Sequence, residues 1–451
     1  QMDSEKVSLA IELLQLCLLP ELITDIDSQL VEPEHFKEFK RHLDENLHLL
    51  FDLLQQHEEC LFVNATETQT FRKYFVLMLC EQSAENALHR TDDLMVQQNI
   101  AHLIEKWFRK IVSEKSVLEL VLQHYKMCIK VDVWKKNIGA IFGFHRFCQL
   151  NYKSNNELKI TEIFFVLATG TLLSEHYEPQ YKQLGIDLFN IMMTFSNKSD
   201  ILTANIHHAV YATCSLNIPK IQDHKCSVEL WKCLYKCLEI DVSWKRTSDW
   251  HKVDQLMMDL LRSIAFEGNL SRSTILFYFA AQFAALPSGK KSLLGALNHL
   301  SRGDNKNGES VPKVDWSLLR REYREIDSFI VYKWVKKMLL LIGNQNMFCG
   351  DSFEVACNLQ AIHLTYIIWI FSIPLVLVSS PILDMLTKLV PSLLECYKRY
   401  KTDQSVSEVV DEIRELFTTF LEHFGTAGIS GKHVKLERRF ETLKLIKDAI
   451  G

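Results

Sequence analysis

Glycine and proline are scarce in this chain of 451 residues: 15 Gly and 9 Pro together make up about 5% of it, where average usage is roughly 12%. These are the residues that β-turns require, because glycine supplies positive φ and proline presets a turn. Between Glu34 and Ile138 there is neither. A β-sandwich or an α/β domain needs turn residues about every dozen positions, so both classes are excluded and an all-α fold is expected. A basic excess is also missing. The formal net charge of -5 argues against general affinity for nucleic acid or for an anionic membrane surface.

What the chain has in quantity is apolar and aromatic. Hydrophobic residues are 47% and charged residues 24%, and the 26 Phe and 8 Trp exclude global disorder. A chain this long exceeds a single compact core, so it must divide into domains or extend as an array. The 12 Cys form no framework of close spacings, which points to reduced thiols inside the cell. No secretory signal is expected, because Glu12 and Gln15 interrupt the early apolar stretch. Gln1, ahead of Met2, is set aside.

Apolar spacing then places the helices. Phe36, Phe39, Leu43, Leu47, Leu50 and Leu54 recur at steps of three and four with charged residues between them. Val406 to Phe424 repeats the pattern, opened by Ser405 with Glu408 and closed by Gly425. Between these the predicted helices are 69–88, 94–112, 116–128, 134–150, 158–173, 180–196, 199–213, 226–240, 249–266, 271–286, 315–341, 353–371 and 380–400. Breaks are expected at Ser154 to Asn156, Asn217 to Pro219, Pro287 to Gly289 and Gly343 to Gly350.

Long helices joined by short turns are antiparallel neighbours, and pairs repeating at about 40 to 47 residues are the mark of a HEAT-like α-solenoid. A helical bundle or two separate helical domains also fit the pattern. The polar stretch 301–313 reads as a loop between a first array, 1–300, and a second, 314–451. From Val355 to Leu383 there is no charged residue, but Pro374 and Pro381 divide the run and Gln360, His363 and Ser372 interrupt it. A buried repeat helix is expected there, and no membrane span.

No catalytic constellation is legible, and the expectation is a protein that is not an enzyme. Ser288 to Ser292 resembles the end of a phosphate loop, but Ala284 stands where the leading glycine belongs. His57 and Glu58 begin like a zinc-protease helix, yet Leu61 holds the second histidine position. His224, Cys226, Cys233 and Cys237 offer four nitrogen and sulfur groups in fourteen residues. Without a Cys-x-x-Cys knuckle they read as core residues, so no metal and no cofactor is expected. His207 and His208 read the same way. Lys435, Arg438, Arg439, Lys444 and Lys447 give the last helix, Val434 to Ile450, a basic face that reads as a solvated one. Asn64, Asn197 and Asn269 stand in glycosylation acceptor motifs.

The stretch Phe165 to Met192, FVLATGTLLSEHYEPQYKQLGIDLFNIM, resembles the central region of the Tel-two-interacting-protein-two family. That family is the small HEAT-repeat subunit of the TTT co-chaperone complex. The similarity lies in Leu172, Leu173, Ser174 and Tyr177 at an inter-helix turn, then Lys182, Leu184, Gly185, Leu188 and Ile191 on the following helix. Trp134-Lys135-Lys136-Asn137 looks like a Trp-Lys-x-Asn element that precedes this block in the family. Spacing stays comparable over Asp254 to Gly289 and Pro374 to Phe424, while an acidic, glycine-rich insertion near the family's N-terminus is missing. The chain is identified on these residues as a divergent member. Glycine inside a helix costs about 1 kcal/mol relative to alanine, so Gly185 is expected where a neighbouring helix approaches closely. Leu188 is expected on a packed face.

The resemblance implies a non-catalytic scaffold of the cytoplasm, and of the nucleus as a second compartment. Its partners would be two larger helical-repeat subunits and, through the Hsp-ninety machinery, PI-three-kinase-like kinases whose maturation it supports. It names no partner-contact residue. The alternative is another protein-binding solenoid, such as a transport receptor or coat adaptor.

Overall fold

The computed structural model describes residues 4–29, 31–63, 68–152, 157–221, 223–241 and 251–266, with Leu276, Phe279, Ala280 and Phe283. The described residues are all-α, without a β-strand among them. The chain divides into two compact units, Gln1–Asn217 and Ile218–Gly451, at the break marked by Asn217 to Pro219. The polar stretch 301–313 lies outside the described residues, as do the apolar run from Val355 to Leu383, the Ser288 to Ser292 segment and the basic last helix.

The first unit opens with α1 (Ser4–Leu16), α2 (Lys37–Val63) and α3 (Gln69–Gln82). α2 buries Leu43, Leu47, Leu50 and Leu54, as the spacing predicts. It runs nine residues past Leu54 because the chain bends without stopping at His57, whose φ of -133° and ψ of 19° are non-helical. α3 is the centre of the unit. Phe71, Phe75, Val76, Leu77, Met78, Leu79 and Cys80 are all buried, so this helix is covered around its whole circumference. It packs against α1, α6 (Lys115–Cys128) and α7 (Ile138–Tyr152). It stops at Gln82, short of the expected 88, and Asn86 adopts a left-handed φ of 63°.

A central helix leaves its polar side chains no water, so each must find a protein partner. Arg72 meets both carboxylate oxygens of Glu114, at 2.5 and 2.6 Å, and donates to the Phe62 carbonyl. Glu81 accepts the Leu19 amide at 2.6 Å and lies 3.4 Å from His89. Gln82 donates to the Cys17 carbonyl at 2.9 Å. These bonds tie the ends of α1 and α2 to α3.

The predicted helix 94–112 forms as α4 (Leu94–Leu103), a π-turn at Ile104–Phe108 and α5 (Arg109–Val112). Asp93 caps α4, accepting the Met95 and Val96 amides at 2.8 and 3.3 Å. The π-turn carries Trp107, whose ring stacks on Phe62 at 4.0 Å.

Then come α8 (Ile160–Ser174) and α9 (Pro179–Phe195). Four residues join them. The Leu158 amide, just before α8, donates to the Phe195 carbonyl at the end of α9 at 3.1 Å, so the pair is antiparallel. The segment expected as one helix over 199–213 is two, α10 (Lys198–Thr203) and α11 (Ile206–Asn217). Asn205 separates them with a φ of 54°, a conformation that ends a helix and that asparagine tolerates. In the second unit α12 (His224–Ile240) and α13 (His251–Phe266) are described. Both bury an apolar stripe, Leu230, Trp231, Leu234 and Leu238 on one and Val253, Leu256, Leu260 and Ile264 on the other.

Candidate functional site

Trp134 and the stretch 165–192, which the sequence singles out, meet at one junction in the first unit. Trp134 begins a short 3-10 turn, Trp134–Lys136, ahead of α7. Its ring is buried and stands edge-on to Tyr181 of α9 at 5.6 Å and to His176 of the α8–α9 turn at 5.3 Å. Such edge contacts are favoured by the aromatic quadrupole. The next letters of the element bond through both backbone and side chain. Leu22 N–H donates to the Lys136 carbonyl at 2.9 Å, Ile26 N–H to the Lys135 carbonyl at 3.3 Å, and Asn137 Nδ2 to the Val133 carbonyl at 3.0 Å. The segment between α1 and α2 is thereby laid across the turn.

Asp27 locks that segment in place. Its carboxylate takes a hydrogen bond from Lys135 Nζ and pairs with His176 Nε2 at 2.9 Å. The Lys135 ammonium, and after it the His176 ring, hold the Asp27 carboxyl below the usual carboxylate range. His176 Nδ1 accepts the Glu178 amide at 3.2 Å, so the ring proton sits on Nε2, facing Asp27. An Asp–His pair serves acid–base chemistry when the imidazole keeps a nitrogen for substrate. Here both nitrogens are occupied and the ring is buried, which makes the group a structural tie. Neither Asp27 nor His176 was marked by spacing or composition, since the pair is 149 positions apart.

The second feature is the crossing of α8 and α9. A Cβ on Gly185 would stand 2.6 Å from both the Gly170 carbonyl oxygen and the Ser174 amide nitrogen. The close approach expected at Gly185 is therefore present, with Gly170 opposite. Leu188, one turn on, is fully buried, as its expected face requires.

Cys226, Cys233 and Cys237 are buried on α12; the side chain of His224 lies outside the described residues. Burial, and after it a hydrogen bond with Cys233, pushes the Cys237 thiol well above its ordinary range. All three side chains are part of the buried apolar core of the described residues. Burial likewise raises Cys17 to about 12, and Cys80 and Cys148 are raised as well. His207 is buried, with Nδ1 3.4 Å from the Ile201 carbonyl oxygen. Asn197 uses its side-chain oxygen to cap α10, accepting the Ser199 amide at 2.8 Å. Asn64 and Asn269 lie outside the described residues.

The polar groups so far tie segments of the chain together. The outward face of the first unit instead offers large apolar side chains, among them Leu94 at 72% exposure, Met95 at 63% and Leu49 at 57%. His48, next to Leu49, lies 3.8 Å from Asp93, the residue before Leu94. No helix among the described residues is long and apolar enough to cross a membrane. Comparison with protein-family models, with curated proteins and with solved structures finds no match to this chain.

Proposed function

We propose that this chain is a non-catalytic scaffold subunit of a TTT-type co-chaperone complex, built as a HEAT-like solenoid of antiparallel helix pairs. The observation that carries the reading is the junction of Trp134 with His176 and Tyr181. Two separated stretches that resemble one family are packed together there, and the second of them is itself closed by the Gly170–Gly185 crossing of α8 and α9. In this reading α8 and α9 are one repeat pair, and stacking further pairs buries the apolar stripe that a single pair leaves open.

Such a scaffold works by surface complementarity. Its binding energy sits in a few exposed apolar or aromatic anchors surrounded by a polar rim, and Leu49, Leu94 and Met95 are candidates of that kind. The partners are the two larger helical-repeat subunits, with the Hsp-ninety machinery and the PI-three-kinase-like kinases engaged through them.

Depletion from cells tests the proposal. Several PI-three-kinase-like kinases should decline together while their transcripts stay level, because unassembled newly made chains are removed by quality control. The larger subunits should decline as well, each losing the stabilisation of its partners. Kinase levels that hold steady after thorough depletion would sink the co-chaperone reading.

A further inference from the structure

Between α6 and the beginning of α8 lies a groove of about 440 Å³. One face of α6 forms its long wall, from Lys115 through Leu118 and Leu122 to Lys126, and Lys159 stands on the facing wall with Thr161. Those eleven steps along α6 span about 16 Å at 1.5 Å per residue. An extended chain at about 3.3 Å per residue crosses the same distance in roughly five residues.

The groove is basic in effect, although two glutamates also line it. Glu119 lies 3.8 Å from Lys115 in an exposed pair, an arrangement that contributes little. Glu162 is turned inward, where it accepts the Lys159 amide at 3.2 Å and the Tyr152 hydroxyl at 3.1 Å. Lys126 and Lys159 have no carboxylate partner among the described residues. The Lys126 ammonium instead rests 5.7 Å over the Phe165 ring. Leu118 and the buried Leu122 give the wall an apolar middle. Met127, Ile160 and Phe164 follow closely in sequence and are 52%, 39% and 50% exposed.

We propose that this groove docks an extended acidic segment of a partner protein. Carboxylates about five residues apart meet Lys115 at one end and Lys126 at the other, with Lys159 across from them. An apolar side chain between the carboxylates lies on Leu118 and Leu122. Charge complementarity selects this occupant, because an ammonium that is exposed on one side and set against apolar surface on the other gains most from a partner that brings both groups. The inference rests on the scaffold reading but not on which complex the scaffold serves. It is tested on purified protein, so it and the kinase-abundance experiment can fail separately.

The test is fluorescence anisotropy of the full chain with a labelled peptide, Ser-Asp-Glu-Ser-Phe-Ser-Asp-Glu-Ser, and a control carrying Lys at every acidic position. The acidic peptide should bind and the control should not, and binding should weaken as salt rises from about 50 to about 200 mM. Lys126→Glu with Lys159→Glu should lower affinity at least tenfold with the circular dichroism spectrum and melting temperature unchanged. Lys159→Gln alone should lower it by a smaller factor. Equal binding of the two peptides, or an unchanged affinity in the double variant, overturns the proposal. So does binding of phosphatidylserine vesicles by a chain that ignores the acidic peptide, since the groove would then serve a membrane surface.

Discussion

His124 on α6 shows what burial does to a single side chain here. Its Nε2 lies 3.7 Å from Cys128 Sγ, and burial, with Lys73 as the smaller influence, lowers its pKa to about 4. The unfolded value is near 6.5, so the unfolded chain binds the proton more readily than the folded one. Stability from this group is complete above about pH 6.5 and is lost as pH falls toward about 4. Urea midpoints measured across that window should decline, and His124→Gln should flatten part of the decline. An identical slope in the variant would show that the ring titrates freely. At this scale the sequence displayed the apolar anchors and hid the polar ties. Trp134, Gly185 and Leu188 stand out by type and spacing, whereas Asp27, His176 and Glu81 acquire their roles from segments brought together only by folding.

Among the elements, the crossing of α8 and α9 has the sharpest consequence. An added Cβ at Gly185 meets two backbone atoms, neither of which can move without separating the helices. At Gly170 it meets chiefly the Phe189 ring, at 2.6 Å, and a ring can turn. Gly185→Ala should therefore cost about 1–3 kcal/mol, and Gly170→Ala less, both read from chemical denaturation. If the two variants matched the parent, the helices would not be in contact at the glycines. Leu188→Asp places a charge where the side chain is fully buried, which should remove several kcal/mol from a total of roughly 5 to 15. Abundant, stable Leu188→Asp protein that fails only in binding would place this face outside the core. Helix existence was legible from periodicity over most of the described residues, but not at α1 (Ser4–Leu16), which was not among the expected helices. The ends were less so, because Asn86 and Asn205 take left-handed conformations that no apolar spacing announces, and because α2 bends at His57 without ending.

For the whole molecule, the scarcity of glycine and proline already pointed to an all-α chain, and the described residues are predominantly helical, without a strand among them. Where the chain divides was less plain, since Asn217 to Pro219 looks like any other inter-helix break until the packing on either side is known. The surfaces proposed for partners were not legible at all: exposed Leu94 and Met95 follow a cap residue, and the groove lysines sit at positions that solvent-facing lysines commonly occupy. On the proposed reading this chain acts by holding other proteins. Affinity purification of the tagged chain from cells, followed by mass spectrometry, tests it most directly. Two larger helical-repeat subunits should be recovered at stoichiometric abundance, with PI-three-kinase-like kinases and Hsp-ninety components below them. Recovery of a transport cargo or coat components in place of those subunits would contradict the co-chaperone assignment, and a chain recovered alone would contradict the scaffold itself.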